Sequence, residues 1–238
     1  MSDANPADML RDQWHPVAAA SDLVPRHIFH ARLLGTELAL WRDTAGKANV
    51  WENRCPHRGL RLTSGRHCGT DVECRYHGLR FESQTGRCTR VPAHPGEPIP
   101  ERIRMTAFPV AEAFGLIWTC LGNPAIPAPT ITPAPAGRTT VLRALPVVAP
   151  RASVQEALQC LRIDSMQVHW LLQPASAEKC VVHGLLDGEF DAATVLRHQR
   201  ECNRRLDELR DRLENETAGY GKSRASSRHP LWRIEPAA

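Results

Sequence analysis

The chain has 238 residues, 42% of them hydrophobic and 24% charged, with a formal net charge of +4. That length can bury a sizeable core in one large domain or two small ones, and the mild, scattered positive charge provides no basic arm of the kind nucleic acid selects. Residues 1–10 are polar and acidic, no apolar run approaches the length of a membrane span, and the eight Cys do not make a disulfide scaffold. The expectation is a soluble protein in a reducing, cytoplasmic setting, with neither nucleic acid nor membrane as partner.

In chain order, Trp14-His15-Pro16-Val17 opens the ordered part. Short strands are predicted over 30–34, 37–42 and 48–52, with a turn over 43–47 that uses Gly46. Leu38 and Leu40 alternate with Ala39 and Trp41, so one face of the second strand is buried and both are apolar. Residues 71–74, 79–82 and 87–90 read as strands, the last two joined by a turn over 83–86; 104–111 and 114–120 add two more around Glu112-Ala113. Many short strands with frequent turns predict a β sandwich or barrel. From 122 to 150, seven Pro on an Ala/Thr background read as a semi-rigid connector. Beyond it, 165–173 and 179–186 read as a hairpin around 174–178. Its apolar face carries Met166, Val168, Trp170 and Leu172, covered by Cys180, Val182 and Leu186. A helix is predicted over 191–216, with a seam of Val195, Gln199, Cys202, Leu206, Leu209 and Leu213. Packing of that seam on its own domain is favoured over a coiled-coil homo-oligomer. A polar stretch over 219–227 and the tail Leu231-Trp232-Arg233-Ile234 follow. The divisions are a mostly β domain over 13–121, the connector 122–150, and a short α+β region over 151–238.

The chemistry concentrates in Cys55-Pro56-His57 and, sixteen intervening residues later, Cys74-Arg75-Tyr76-His77. Two Cys and two His in two short loops can hold one metal centre. A Rieske-type 2Fe–2S cluster puts two thiolates on one iron and two imidazoles on the other, one of each from each loop. A structural zinc is the rival, because it also takes two Cys and two His, although its usual order keeps like ligands together. Gly59 and Gly78, just beyond each His, let the backbone turn close to the inorganic core. The other Cys (Cys68, Cys88, Cys120, Cys160, Cys180) read as small hydrophobes or an exposed turn thiol. Arg58, Arg61, Arg75 and Arg80 flank the loops, equally a docking rim for an acidic electron donor and an ordinary solvated charge run.

With the stretches Trp14-His15-Pro16-Val17, Arg54-Cys55-Pro56-His57-Arg58, Cys74-Arg75-Tyr76-His77-Gly78, Val91-Pro92-Ala93 and Gly115-Leu116-Ile117-Trp118, residues 13–121 resemble the α subunits of Rieske non-haem iron oxygenases, in particular their oxidative demethylase branch. The resemblance implies a Rieske domain with its two loops at the tip, Cys55 and Cys74 on one iron and His57 and His77 on the other. It also implies a flavin reductase or ferredoxin as electron donor. Membrane-complex Rieske proteins carry a disulfide across the cluster and a hydroxyl past the second loop. This chain has Leu60 and Tyr76 at the first pair of positions and Leu79 and Phe81 at the second, so a potential near about −150 mV is expected.

In the resembled family a second, C-terminal iron is held by two His and a carboxylate, through an acidic residue followed by His-x4-His. Only 88 residues follow residue 150 here, and their His are His169, His183, His198 and His229, with no such spacing. A mononuclear iron is therefore not expected, and the C-terminal region reads as a remnant of the longer domain. A hairpin symmetric about Ser176 would set His169 opposite His183, with Asp164 and Asp187 roughly 16 and 13 Å away along their strands. The leading expectation is an electron-transfer protein related to ring-hydroxylating and demethylating oxygenases. The alternative is an oxygenase component acting on a small aromatic substrate, with a rebuilt iron site or as a subunit of a full-length oxygenase.

Overall fold

The computed structural model describes residues 6–163 and 166–217. The polar stretch from 219, the tail at Leu231-Trp232-Arg233-Ile234, Asp164 and His229 lie outside these residues. Helix α1 (Pro6–Arg11) precedes β1 (His15–Ala19), and β2 (Phe29–Leu33), β3 (Thr36–Arg42) and β4 (Ala48–Glu52) follow within a residue of the expected strands. The last three form an antiparallel meander. At its second turn the Lys47 N–H donates to the Asp43 carboxylate at 2.8 Å.

Strand β3 is buried on both faces, and this organises the first domain. Leu38 and Leu40 join Val17, Leu33, Val50 and Ile117 in one core. Ala39 and Trp41 join Trp51, Leu62, Phe81 and the loop cysteines Cys55 and Cys74 in another. The first core is closed by a sheet ordered β1-β10-β9, where β9 is Val110–Ala113 and β10 is Leu116–Thr119. The second is closed by a four-stranded sheet of β5 (Arg66–His67), β6 (Asp71–Glu73), β7 (Arg80–Glu82) and β8 (Cys88–Arg90). The strand expected over 104–111 begins only at Val110, and its turn falls at Phe114-Gly115 rather than at Glu112-Ala113. Phe114 and Gly115 take φ of 56° and 73°, the left-handed pair that matches strand twist in a two-residue hairpin turn.

The region read as a connector contributes structure. Residues 139–147 contain β11 (Thr139–Val141) and β12 (Leu145–Val147), both paired with β14 (Lys179–Asp187). Leu145, Val147 and Ala149 point inward and alternate with exposed Pro146, Val148 and Pro150. Proline lacks an N–H but is tolerated at a sheet margin, so the period-2 pattern outweighs the Pro count. Helix α2 (Arg151–Cys160), which the sequence reading did not anticipate, buries Val154, Ala157 and Leu158. Strand β13 (Gln167–Ser176) pairs with the far edge of β14, running through Pro174 with a bulge before Ser176. Helix α3 (Ala192–Thr217) starts at Asp191, whose carboxylate accepts the Thr194 N–H at 2.8 Å. Its Leu206, Leu209 and Leu213 pack on Leu145, Val147, Cys180 and Val182 of its own domain, each burial contributing about 1.5–3 kcal/mol.

The opposite face of this sheet packs on the first domain, where Leu171 and Leu185 meet Leu116 and Trp118. Polar ties run beside that contact. The Leu34 and Gly35 N–H groups, at the β2–β3 turn, donate to the Pro174 and Ala175 carbonyls at 2.7 and 2.8 Å. Gln173 Nε2–H donates to the Arg32 carbonyl at 2.9 Å, which turns Gln173 Oε1 toward His183 Nε2 at 2.7 Å. His183 is therefore the Nε2–H tautomer, and burial lowers its pKa from 6.5 to about 4.

Because the folded state binds fewer protons than the unfolded state between those two values, His183 costs nothing above pH 6.5 and destabilises the fold as pH falls toward 4. The loss is on the order of 3 kcal/mol. A His183→Asn variant should show a smaller drop in thermal midpoint between pH 7 and pH 4.5 than the wild type. Parallel pH profiles of the two proteins would contradict the assignment.

Candidate metal centre

Both loops close in the same way. The Cys55 N–H donates to Leu60 C=O at 2.9 Å, and the Gly59 N–H returns to Cys55 C=O at 2.8 Å. In the second loop Cys74 and Leu79 make the first bond at 2.9 Å, and Gly78 and Cys74 the second at 2.9 Å. Each loop is thus Cys-x-x-x-Gly-Leu, and only the His position differs. The glycines take φ of 75° and 71° at the closures. Asn53 braces the first loop: its amide pairs with Thr63 Oγ1 at 3.1 Å and with the Thr63 N–H at 2.9 Å, and its N–H donates to Glu37 C=O at 2.8 Å. Sequence reading missed Asn53 and Thr63; the available signal was an Asn between a strand and the first Cys.

The donors divide two and two. Cys55 and Cys74 are 3% and 2% exposed, within hydrogen-bonding reach of each other, and packed in the core with Trp51 and Phe81. Burial, with the Cys74 thiol adding to it, pushes the Cys55 thiol up to about 11. His57 and His77 are exposed, with ring centroids 4.6 Å apart at 65°. Tyr76 lies against His77 at 3.9 Å and 33° and is itself 61% exposed. Leu60 packs into the core, and Leu79 and Phe81 are buried, so neither position past the second loop offers a hydroxyl. Among the described residues no three His, Cys, Asp or Glu side chains gather about one point.

Residues 13–109 match the family described as Rieske [2Fe-2S] domain. This chain contains a Rieske domain. Over 113 residues it is 57% identical to the oxidoreductase NdmD of Pseudomonas putida, covering 48% of this chain and 19% of that protein. Over 137 residues it is 39% identical to 4beta-methylsterol monooxygenase of Methylococcus capsulatus, covering 55% and 37%. The chain thus spans well under half the length of these curated relatives, which with others make it a relative of ring-hydroxylating and demethylating oxygenase components. The solved structure of Pseudomonas putida NdmB shares the fold with a TM-score of 0.72 at 20% identity, over 89% of this chain and 83% of that one. Apo dicamba monooxygenase does so with a TM-score of 0.67 at 18% identity, over 92% of each chain. No helix among the described residues is long and apolar enough to cross a membrane.

The arginines around the Rieske loops have separate fates. Arg61 grips Glu37 at 2.6 and 2.7 Å, and Arg80 shares Glu73 with Arg66, each at 2.8 Å. Arg58 and Arg75 are exposed beside the imidazoles and form no ion pair among the described residues. Of the remaining thiols Cys88, Cys120 and Cys180 are buried, Cys68 is half-buried, and Cys160 is exposed at the end of α2 rather than packed in an apolar segment.

The hairpin histidines do not meet as expected. The hairpin turns at Ala177-Glu178 instead of about Ser176, and this shifts the register so that His169 faces Leu185 and His183 faces Leu171. The same shift brings Asp187, expected to be out of reach, to 3.3 Å from His169 Nε2. Both His are buried. The Ala136 N–H, at 2.8 Å, is the main cause holding the Asp187 carboxyl below its ordinary range; His169 and the Gly137 N–H add to it. By accepting the Ala136 and Gly137 N–H groups Asp187 fastens the connector to the sheet, while His183 is occupied by Gln173.

A Cβ on Gly78 would lie 2.8 Å from Pro92 Cγ at a φ of +71°. Gly78→Ala should therefore lower thermal stability by about 1–3 kcal/mol and reduce iron content. Gly96→Ala, at a φ of +83° with nothing within 4 Å, should leave iron content unchanged. Equal iron in the two variants would contradict a packed second loop.

Proposed function

We propose that this chain is a one-electron carrier whose Rieske cluster is held by Cys55 and Cys74 on one iron and His57 and His77 on the other. The observation that carries this reading is the division of the four donors into an inner thiol pair and an outer imidazole pair. A tetrahedral zinc needs its four ligands about one point, whereas two bridged irons need two separated pairs. When bound, the cluster takes up and releases one electron. The residues set the conditions: Trp51, Phe81 and Leu79 exclude water from the thiol side, and the exposed His57 and His77 edges place the other side at the surface. Arg58, Arg75 and Tyr76 around those edges suit an acidic, partly apolar surface on a flavin reductase or ferredoxin.

Oxygen chemistry on a substrate by this chain alone is disfavoured by its hairpin. An iron with open positions asks for about three protein ligands, and here His169 is tied to Asp187 while His183 is tied to Gln173. A second reading, a subunit working beside a full-length oxygenase, is supported by the continuation of the shared fold through the C-terminal sheet and α3.

Anaerobically purified protein should contain two irons and two acid-labile sulfides per chain. Cys55→Ser and Cys74→Ser should each abolish both, and His57→Cys, which replaces a neutral ligand by an anionic one, should lower the potential of any cluster retained. One zinc and no sulfide would overturn the assignment.

The reduced protein should pass electrons to an added acceptor without substrate-dependent oxygen uptake on methoxylated or N-methylated aromatics. Product that survives His57→Cys but disappears in His169→Ala and His183→Ala would replace the carrier reading with an oxygenase. Product that appears only on adding a full-length oxygenase would favour the subunit reading.

A further inference from the structure

A cavity of about 750 Å³ opens on the side of the first domain, between the β1–β2 connection, the β3–β4 turn, the β5–β6 turn and β7. No residue of the two cysteine loops lines it. Four guanidiniums do, those of Arg26, Arg42, Arg66 and Arg80, against one carboxylate, that of Asp43.

What each group already holds decides what can enter. Asp43 accepts the Lys47 N–H and the Ser83 hydroxyl. His67, also on the wall, is engaged at both ring nitrogens: Nε2 donates to the Arg42 carbonyl at 2.8 Å, and Nδ1 accepts the Gly69 N–H at 3.0 Å. The side-chain acceptors are thus occupied, whereas many of the donors are not. Arg42 is committed to Glu112 at 2.9 Å and to the Gly46 carbonyl at 2.8 Å. Glu73 takes only Nη2 of Arg66 and Nε of Arg80, each at 2.8 Å. One carboxylate therefore holds two guanidinium forks beside each other, with their remaining nitrogens unbonded among the described residues. Arg26 forms no ion pair among the described residues. Its φ of 62° is one an arginine seldom adopts, and such strain concentrates at ligand sites.

We propose that this cavity binds a phosphate group, free or as a monoester, on Arg26, Arg66 and Arg80. Arg26 enters from the β1–β2 connection, and Arg66 and Arg80 from β5 and β7, so donors meet a ligand from more than one side. A tetrahedral phosphate presents acceptors in every direction and can engage all three, whereas a planar carboxylate is filled by one or two forks. A cation would face guanidiniums, with Asp43 already engaged. A neutral ligand would further desolvate Arg80, whose side chain is 28% exposed, and bring no charge in return. The site uses neither the Rieske cluster nor the electron-carrier role, and stands apart from both.

Cys68, half-buried on the cavity wall, reports occupancy in the cluster-loaded wild-type protein. At constant ionic strength, saturating inorganic phosphate or adenosine monophosphate should slow its alkylation by iodoacetamide at least fivefold. Cys160, exposed on α2, should keep its rate. Adenosine and acetate should protect neither thiol. Calorimetry should give one phosphate or one monophosphate per chain, and the tighter of the two shows whether the site prefers the free anion or the ester. Arg26→Gln should weaken binding at least fivefold. Thr44→Glu, at an exposed position on the wall, should weaken it at least tenfold through like-charge repulsion. Arg102→Gln, the same loss of charge at an exposed position outside the cavity, should leave it unchanged. An unchanged thermal midpoint shows that each variant is folded, and protection of the wild-type thiol decides should a variant fail to fold. No saturable protection of Cys68, equal protection of Cys160, or Arg102→Gln weakening phosphate as much as Arg26→Gln would overturn the proposal.

Discussion

The paired loop closures are the constraint on which the centre depends. A backbone bond from each Cys N–H to the Leu five residues on, and a return bond from the Gly between them, hold both thiols at one depth. The leucines anchor this geometry in the core that β3, β4 and the four-stranded sheet enclose. The one-residue difference in His placement, second after Cys55 and third after Cys74, is absorbed within otherwise equal loops. Outside, little holds the imidazoles besides each other and Tyr76. The rigid half and the accessible half of the site thus come from the same few residues.

Much of the first domain was legible because its strands obey period 2 and its loops carry residues with few other uses. Cys and His spacing alone nominated the four candidate donors that the two loops carry, and alternation around Gly46 gave β2, β3 and β4. The second domain was less legible because its decisive features are non-local. The alternation of Leu145, Val147 and Ala149 was masked by Pro146 and Pro150, whose lack of an N–H matters less at a margin. Helix α2 is short, and its Val154, Ala157 and Leu158 match one turn of periodicity without a side-chain cap. The hairpin register failed because the strands run on through Pro174 to Ser176 and turn tightly at Ala177-Glu178, with a one-residue bulge that no pattern in residues 174–178 announces. With it failed the placement of His169 against His183 and of Asp187 out of reach. Asn53 and Thr63 escaped because their pairing depends on where a loop returns.

The second domain is built as a sheet with two covered faces. One face is covered by α2 and α3, and its seam is satisfied within the chain. The other is covered by the first domain, through Leu171 and Leu185 on Leu116 and Trp118. Placing polar side chains on that second face is tolerable only because each is answered: Gln173 by a backbone carbonyl of β2, His183 by Gln173, and His169 by Asp187. Apolar contact supplies most of the adhesion, and these bonds fix the relative register of the two halves.

The turn between β2 and β3 carries a cost for anyone wishing to treat the first half as a portable module. Its Leu34 and Gly35 N–H groups are satisfied by β13, and the outward side of β10 is covered by the hairpin. Excising residues beyond the connector would bare Leu116 and Trp118 side by side and leave two adjacent amide donors at a hairpin tip. Such a fragment would present a sticky, strand-like surface. Transplanting this redox unit into another protein therefore means carrying the hairpin with it, or redesigning the face of β10 to tolerate water.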